Sequence, residues 1–233
     1  MNFAYWFLVF YIISILGYIC EVVYCYIIDK KIINRGFMFG PYCPIYGVGA
    51  IGTVILFNEF YNNPIMVFIL GMLLCSIIEY ITSYLMEKLF NDKWWDYSDN
   101  KYNINGRVCL KNSVLFGISS LALIYIIYPL IEKLIFSLSL FILNILAVIL
   151  FGLFLIDFIF TIINILKLRR QLSIIDKIRN EIENEISDLL QSNINKYLKY
   201  NRYQKHIINV FPNMKSRYEN NIRLLNEFSD NKL

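Results

Sequence analysis

Five stretches of this 233-residue chain are apolar over the length that crosses a hydrocarbon layer, and nothing else constrains its fold as much. About 20 mostly apolar residues suffice for a spanning helix. The stretches run Phe3–Ile28, Phe37–Phe57, Pro64–Met86, Ser113–Tyr128 (or on to Ile131) and Leu138–Leu166. Polar connections separate them: Asp29–Gly36, Asn58–Asn63, a long loop Glu87–Asn112, and a turn with Pro129, Glu132 and Lys133. With 58% hydrophobic and only 17% charged residues, the chain has more apolar surface than a soluble globule of this size can bury. The pattern predicts an all-α polytopic membrane bundle of about five spans, with the lipid bilayer as its solvent. Residues 1–166 form the transmembrane domain in this reading. Lys167–Leu233 forms a cytoplasmic helical tail too polar to span anything.

Orientation follows from the cations. One set of connections holds Lys30, Lys31, Arg35, Lys88, Lys93, Lys101, Arg107, Lys111, Lys167, Arg169 and Arg170; the opposite set holds only Lys133. The bias places the N-terminus outside and the tail in the cytoplasm, which requires an odd number of spans. The first span reads as a span and not a cleaved leader, for it has no basic n-region and no small-residue cleavage site. Net charge is +4, but residues 1–166 carry nine Lys/Arg against ten Asp/Glu, and the tail carries thirteen against eight. The excess belongs to the tail, where bases and acids interleave, and such a surface is not a nucleic-acid footprint.

In the tail, Leu168, Leu172, Ile175, Ile178, Ile182, Ile186 and Leu189 recur at helical spacing. They predict an amphipathic helix or short coiled coil and, with a second helical piece after Pro212, a helical hairpin or a homodimer seam. The five cysteines lie in spans or near the cytoplasmic face and form no disulfide framework. The single histidine, His206, is in the tail, so no His-based metal site or Ser-His-Asp triad exists in the membrane domain. No motif calls for a cofactor. Gly47-Val48-Gly49-Ala50-Ile51-Gly52 fits a dinucleotide fingerprint in letters only, because it lies in a span with no preceding strand. No P-loop lysine motif occurs, so any ATP hydrolysis must come from another chain.

Three acids fall inside spans: Glu21, Glu79 and Asp157. Ionisable groups in hydrocarbon are costly and mark functional sites by default. Each precedes a basic residue (Lys30, Lys88, Lys167) by nine or ten positions, which sets all three at about 13–15 Å from the cytoplasmic end. They occupy the first, third and fifth spans and can form a cation or proton site or a polar gate. The plainer alternative is that each is neutral and bonds a neighbouring helix as packing glue.

A weak internal repeat relates Ile15–Val23 to Leu73–Ile81, aligning Glu21 with Glu79. Each copy leads to a polar motif, Asn34-Arg35-Gly36 or Asn105-Gly106-Arg107, then to Cys43 or Cys109, then to a span. Parallel repeats of this kind are a transporter plan. Between them, Gly36, Gly40, Pro41, Pro44 and Gly47 oppose a straight helix at the entry to the second span, predicting a broken or re-entrant segment. Close packing through Gly36 and Gly40 is the competing explanation. At the cytoplasmic face, Asn34, Arg35, Asp96, Tyr97, Asn105 and Arg107 make a candidate site for an anionic head group or phosphate. Asp96 is a candidate ion-pair partner for Arg107, with Arg35 as its rival.

These motifs carry a family resemblance. Glu21, Asn34-Arg35-Gly36-Phe37, Gly40-Pro41-Tyr42-Cys43-Pro44-Ile45-Tyr46-Gly47, Glu79, Trp95-Asp96-Tyr97-Ser98 and Asn105-Gly106-Arg107-Val108-Cys109-Leu110 resemble the bacterial ABC-transporter permease family, also called ABC-transporter type IV. The resemblance runs from Tyr5 to Ile165, leaves the tail outside, and departs at Phe116, where many members carry tryptophan. It implies a multi-pass protein of the bacterial plasma membrane working with a separate ATPase subunit. Three readings follow: a permease subunit with a polar path lined by Glu21, Glu79 and Asp157; an intramembrane enzyme on a lipid-linked phosphate; and a non-catalytic scaffold.

Overall fold

The computed structural model describes residues 2–30, 36–90, 92–182 and 200–230. Helix α1, Phe3–Asp29, starts where Asn2 Oδ1 accepts the Tyr5 amide at 3.1 Å and stops at Lys30, whose left-handed backbone (φ 51°) closes the last turn on Tyr26. Helix α2 covers Pro44–Phe57 and α3 Pro64–Phe90. Helix α4, Leu110–Ala122, passes through a wide π turn at Leu123–Ile127 into α5, Tyr128–Phe136. The wide turn sits just ahead of Pro129, whose ring and missing N–H oppose a regular turn there. Helix α6, Leu140–Ile182, runs 43 residues without a break from apolar into polar sequence. The tail adds α7, Arg202–Val210, started by an Asn201/Gln204 capping box, and α8, Pro212–Asp230. The only strands among the described residues, β1 (Asn103–Ile104) and β2 (Val108–Cys109), pair antiparallel in the loop before α4.

Four helical stretches are long and apolar enough to cross a membrane: Phe3–Ile27, Pro64–Phe90, Leu110–Phe136 and Leu140–Arg179. Their large apolar side chains stand exposed, as at Val148 (72%) and Ile156 (67%), which suits lipid and not water. The second expected span differs. Its apolar helical part, Pro44–Phe60, is shorter, and Phe37–Cys43 is irregular, because Pro41 and Pro44 withdraw donors where a helix would need them. Helix α2 therefore begins beside the middle of α1, where the Cys43 amide donates to the Ser14 carbonyl at 2.9 Å. The two helices touch closely at Gly47: a Cβ there would lie 2.5 Å from Phe10 Cδ2 and from Ser14 Oγ. One core, including Tyr5, Val9, Val54, Ile124, Ile135 and Ala147, joins α1, α2, α5 and α6.

A second core ties the tail to the bundle. Phe90 of α3 and Ile165, Leu168 and Leu172 of α6 bury against Ile207, Phe211 and Met214. Leu168, Leu172 and Ile175, expected to form an amphipathic seam, are thus buried within the chain; Ile186 and Leu189 lie outside the described residues. Arg217 pairs with Asp176, Gln204 donates to Gln171 at 2.6 Å, and Asn201 donates to Asn164 at 3.3 Å.

His206 meets the irregular segment: its Nε2 lies 3.2 Å from the Gly36 carbonyl and its ring stands edge-on to Phe39. Burial pushes the imidazole below its usual value of 6.5, opposed by the Gly36 and Met38 carbonyls and by Asp157. The docked tail therefore binds fewer protons than the undocked one just below 6.5, so docking is fully present above that pH and weakens as pH falls through it. Limited proteolysis of the tail is expected to quicken between about pH 7.5 and 5.5, and His206→Gln to remove that dependence. A wild-type rate independent of pH, or one matched by the variant, would refute this.

Candidate functional site

The two helix pairs α1–α2 and α3–α4 are built alike. Cys43 stands at the N-cap of α2 and Cys109 at the N-cap of α4, both in extended backbone. The residue three positions on faces the acid of the preceding helix. The Tyr46 hydroxyl donates to Glu21 Oε1 at 2.6 Å, and the Asn112 amide bears on the Glu79 carboxyl. Spacing in the sequence suggested the repeat; its consequence, two equivalent carboxylates each held from the next helix, is visible only in three dimensions.

Glu79 is 6% exposed and receives the Tyr97 hydroxyl on Oε1 at 3.1 Å, while Oε2 is buried with no hydrogen bond among the described residues. Glu21 lies close enough for its charge to act on Glu79. Tyr97, in the loop, has its phenol pushed up by burial first and then by the charges of Glu79 and Glu21. Glu21 is thus held by Tyr46, and Glu79 by Tyr97 and Asn112.

Asp157 is placed differently. Its Oδ2 accepts the Gly40 amide at 2.8 Å and the Tyr42 hydroxyl at 2.6 Å. Its Oδ1 accepts the Phe39 amide at 3.3 Å and the Thr161 hydroxyl at 3.4 Å. Backbone donors released by the broken second span are satisfied by this carboxylate, as a low-dielectric surrounding demands. Gly36 and Gly40 belong to that segment, Pro41 is exposed at its turn, and Pro44 and Gly47 open α2.

At the loop end, Arg107 is held on several sides. It pairs with Glu87, its guanidinium lies 5.5 Å from the ring centres of Tyr80 and Tyr84, and its carbonyl accepts the Trp95 indole at 2.9 Å. Asp96 pairs instead with Lys93 at 3.2 Å and accepts the Ser98 hydroxyl at 2.5 Å, a bond that holds its carboxyl below the ordinary range. The expected Asp96–Arg107 pair is therefore replaced by Lys93–Asp96 and Glu87–Arg107, because the turn at Asn105 and Gly106 (φ 54° and 68°) directs Arg107 onto α3. A Cβ at Gly106 would also lie 2.5 Å from Asp96 Oδ1, so the turn needs glycine for space as well as backbone. Asn105 donates to the Tyr80 hydroxyl at 2.8 Å. Asn34 and Arg35 lie outside the described residues.

Sequence reading missed Tyr46, Tyr80, Tyr84 and Glu87. For the last three a signal exists: they stand four and three residues apart on one face of α3. It also missed a phenol pair at the other end of the bundle, Tyr5 and Tyr128, whose hydroxyls lie 3.0 Å apart and both reach Glu132.

Four long apolar helices in an all-helical bundle define an all-α, polytopic membrane protein. The chain matches the model of the family described as "Putative ABC-transporter type IV" over residues 8–162, and it belongs to that family. No curated protein and no solved structure matches it.

Proposed function

We propose that this protein is the membrane subunit of a transport system and that its polar path runs through Glu79 and Glu21. The observation that carries the reading is Glu79: a carboxyl buried inside a membrane bundle, bonded on one oxygen, buried without a partner among the described residues on the other, and within reach of the charge of Glu21. A site so arranged can take up a proton or a cation. Asp157, with four donors on it, serves the same path as a support for the broken span. The tail, from Lys167 on, lies in the cytoplasm and the N-terminus outside, as the Lys/Arg bias directs, and the family resemblance points to a bacterial plasma membrane. Asn34, Arg35, Asp96, Tyr97, Asn105 and Arg107 stand at the cytoplasmic mouth. A separate ATPase subunit would dock on the loop Glu87–Asn112 or on the tail. A homodimer through the tail would not draw on Leu168, Leu172 or Ile175, which are buried within the chain. Enzymatic phosphate chemistry is less favoured, because Glu87 neutralises Arg107.

The test uses the full chain in proteoliposomes with an internal pH dye and an imposed potential. Wild-type protein is expected to pass protons, and Glu79→Gln to slow them about ten-fold. A carbodiimide should label Glu79 and leave Asp157 unmodified. Proton movement equal in wild type, Glu79→Gln and protein-free vesicles would overturn the proposal.

A further inference from the structure

Helix α6 carries an amphiphile-shaped stripe on one face. Ile159, Ile163 and Leu166 recur at steps of four and three, and all three are exposed. The same register continues through Arg170, Ser173 and Lys177, also exposed, and Arg170, Ser173 and Lys177 line one open groove with Leu166. Residues at these steps share a helix face. At 1.5 Å per residue the apolar half and the cationic half each extend about 10 Å.

Among the described side chains no carboxylate touches Arg170 or Lys177, and the nearest described acid of this helix, Asp176, is engaged by Arg217 of α8. Arg169, beside the stripe, donates to the Leu89 carbonyl at 2.7 Å, which fixes α6 to the end of α3 and sets the stripe's orientation. Two cations and a hydroxyl just beyond an apolar run match a phosphate at the end of an acyl chain, in charge and in spacing.

We infer that this face of α6 is a binding site for an anionic phospholipid, with acyl chain along Ile159, Ile163 and Leu166 and head-group phosphate between Arg170, Ser173 and Lys177. The site is separate from Glu21 and Glu79 and does not depend on any transport activity.

Delipidated full-length protein in nonionic detergent is titrated with dioleoyl phosphatidylglycerol or dioleoyl phosphatidylcholine, and bound lipid is read by native mass spectrometry. Phosphatidylglycerol is expected to bind more tightly than phosphatidylcholine. Arg170→Ala and Lys177→Ala should each weaken the anionic lipid about five-fold, and the double variant about thirty-fold. Lys205→Ala, an exposed cation elsewhere, should leave its binding unchanged. Both α6 substitutions are on the helix surface, and equal thermal melting of wild type and variants checks the fold. Equal affinities for the two lipids, a double variant that binds like wild type, or displacement of the lipid by millimolar inorganic phosphate would overturn the inference.

Discussion

Asp157→Ala is expected to cost about 3–5 kcal/mol and to release the inner half of the second span. The carboxylate accepts two backbone amides and the Tyr42 hydroxyl from Phe39–Tyr42, plus the Thr161 hydroxyl of its own helix. Alanine leaves those donors without acceptors in a setting where water cannot replace them, and each such loss is costly. Asp157→Asn keeps the shape but presents an amide NH2 to one set of donors, so an intermediate loss follows. Thermal unfolding of the detergent-solubilised full chain checks the order wild type, Asn, Ala. An alanine variant that melts with wild type would show that the clamp does not hold the segment.

Phe211→Ala is expected to detach the tail while leaving the bundle intact. Phe211 is 1% exposed, at the turn between α7 and α8, with its ring 5.1 Å from Trp94 and 6.3 Å from Phe90. Emptying that position removes about 3–5 kcal/mol from one core. Because the loss falls on the tail's own interface, it should appear as local opening, with about a hundred-fold to several thousand-fold more of the undocked form. Faster protease cleavage within α7 and α8, at unchanged protection of α1 and α3, checks this. Equal tail cleavage in wild type and variant would mean that docking rests elsewhere.

Each residue that escaped sequence reading did so for a physical reason. Glu87 looked like one charge in a solvated loop, yet it ends α3 facing Arg107, because Tyr80 and Tyr84 shape a groove for the guanidinium. Asp157 resembled Glu21 and Glu79 in depth along its span. Its partners come from a segment 115 to 118 residues away, and no local pattern could announce them. Pro41, Pro44 and Gly40 announced an irregular entry, since proline acts on its own backbone; which carboxylate would satisfy the released amides was a matter of packing.

Composition and periodicity by themselves determined the class: long apolar runs must be helices in lipid, because a backbone without water has to bond to itself. The repeat of Glu21 and Glu79, and the family, were legible for the same reason, as patterns local in the chain. Tertiary structure alone decided that α2 is short, that phenols hold Glu21 and Glu79 while Asp157 clamps a broken span, and that the tail's apolar stripe turns back onto the bundle. Those outcomes depend on which distant donors meet which acceptors, and that is fixed only when the helices pack.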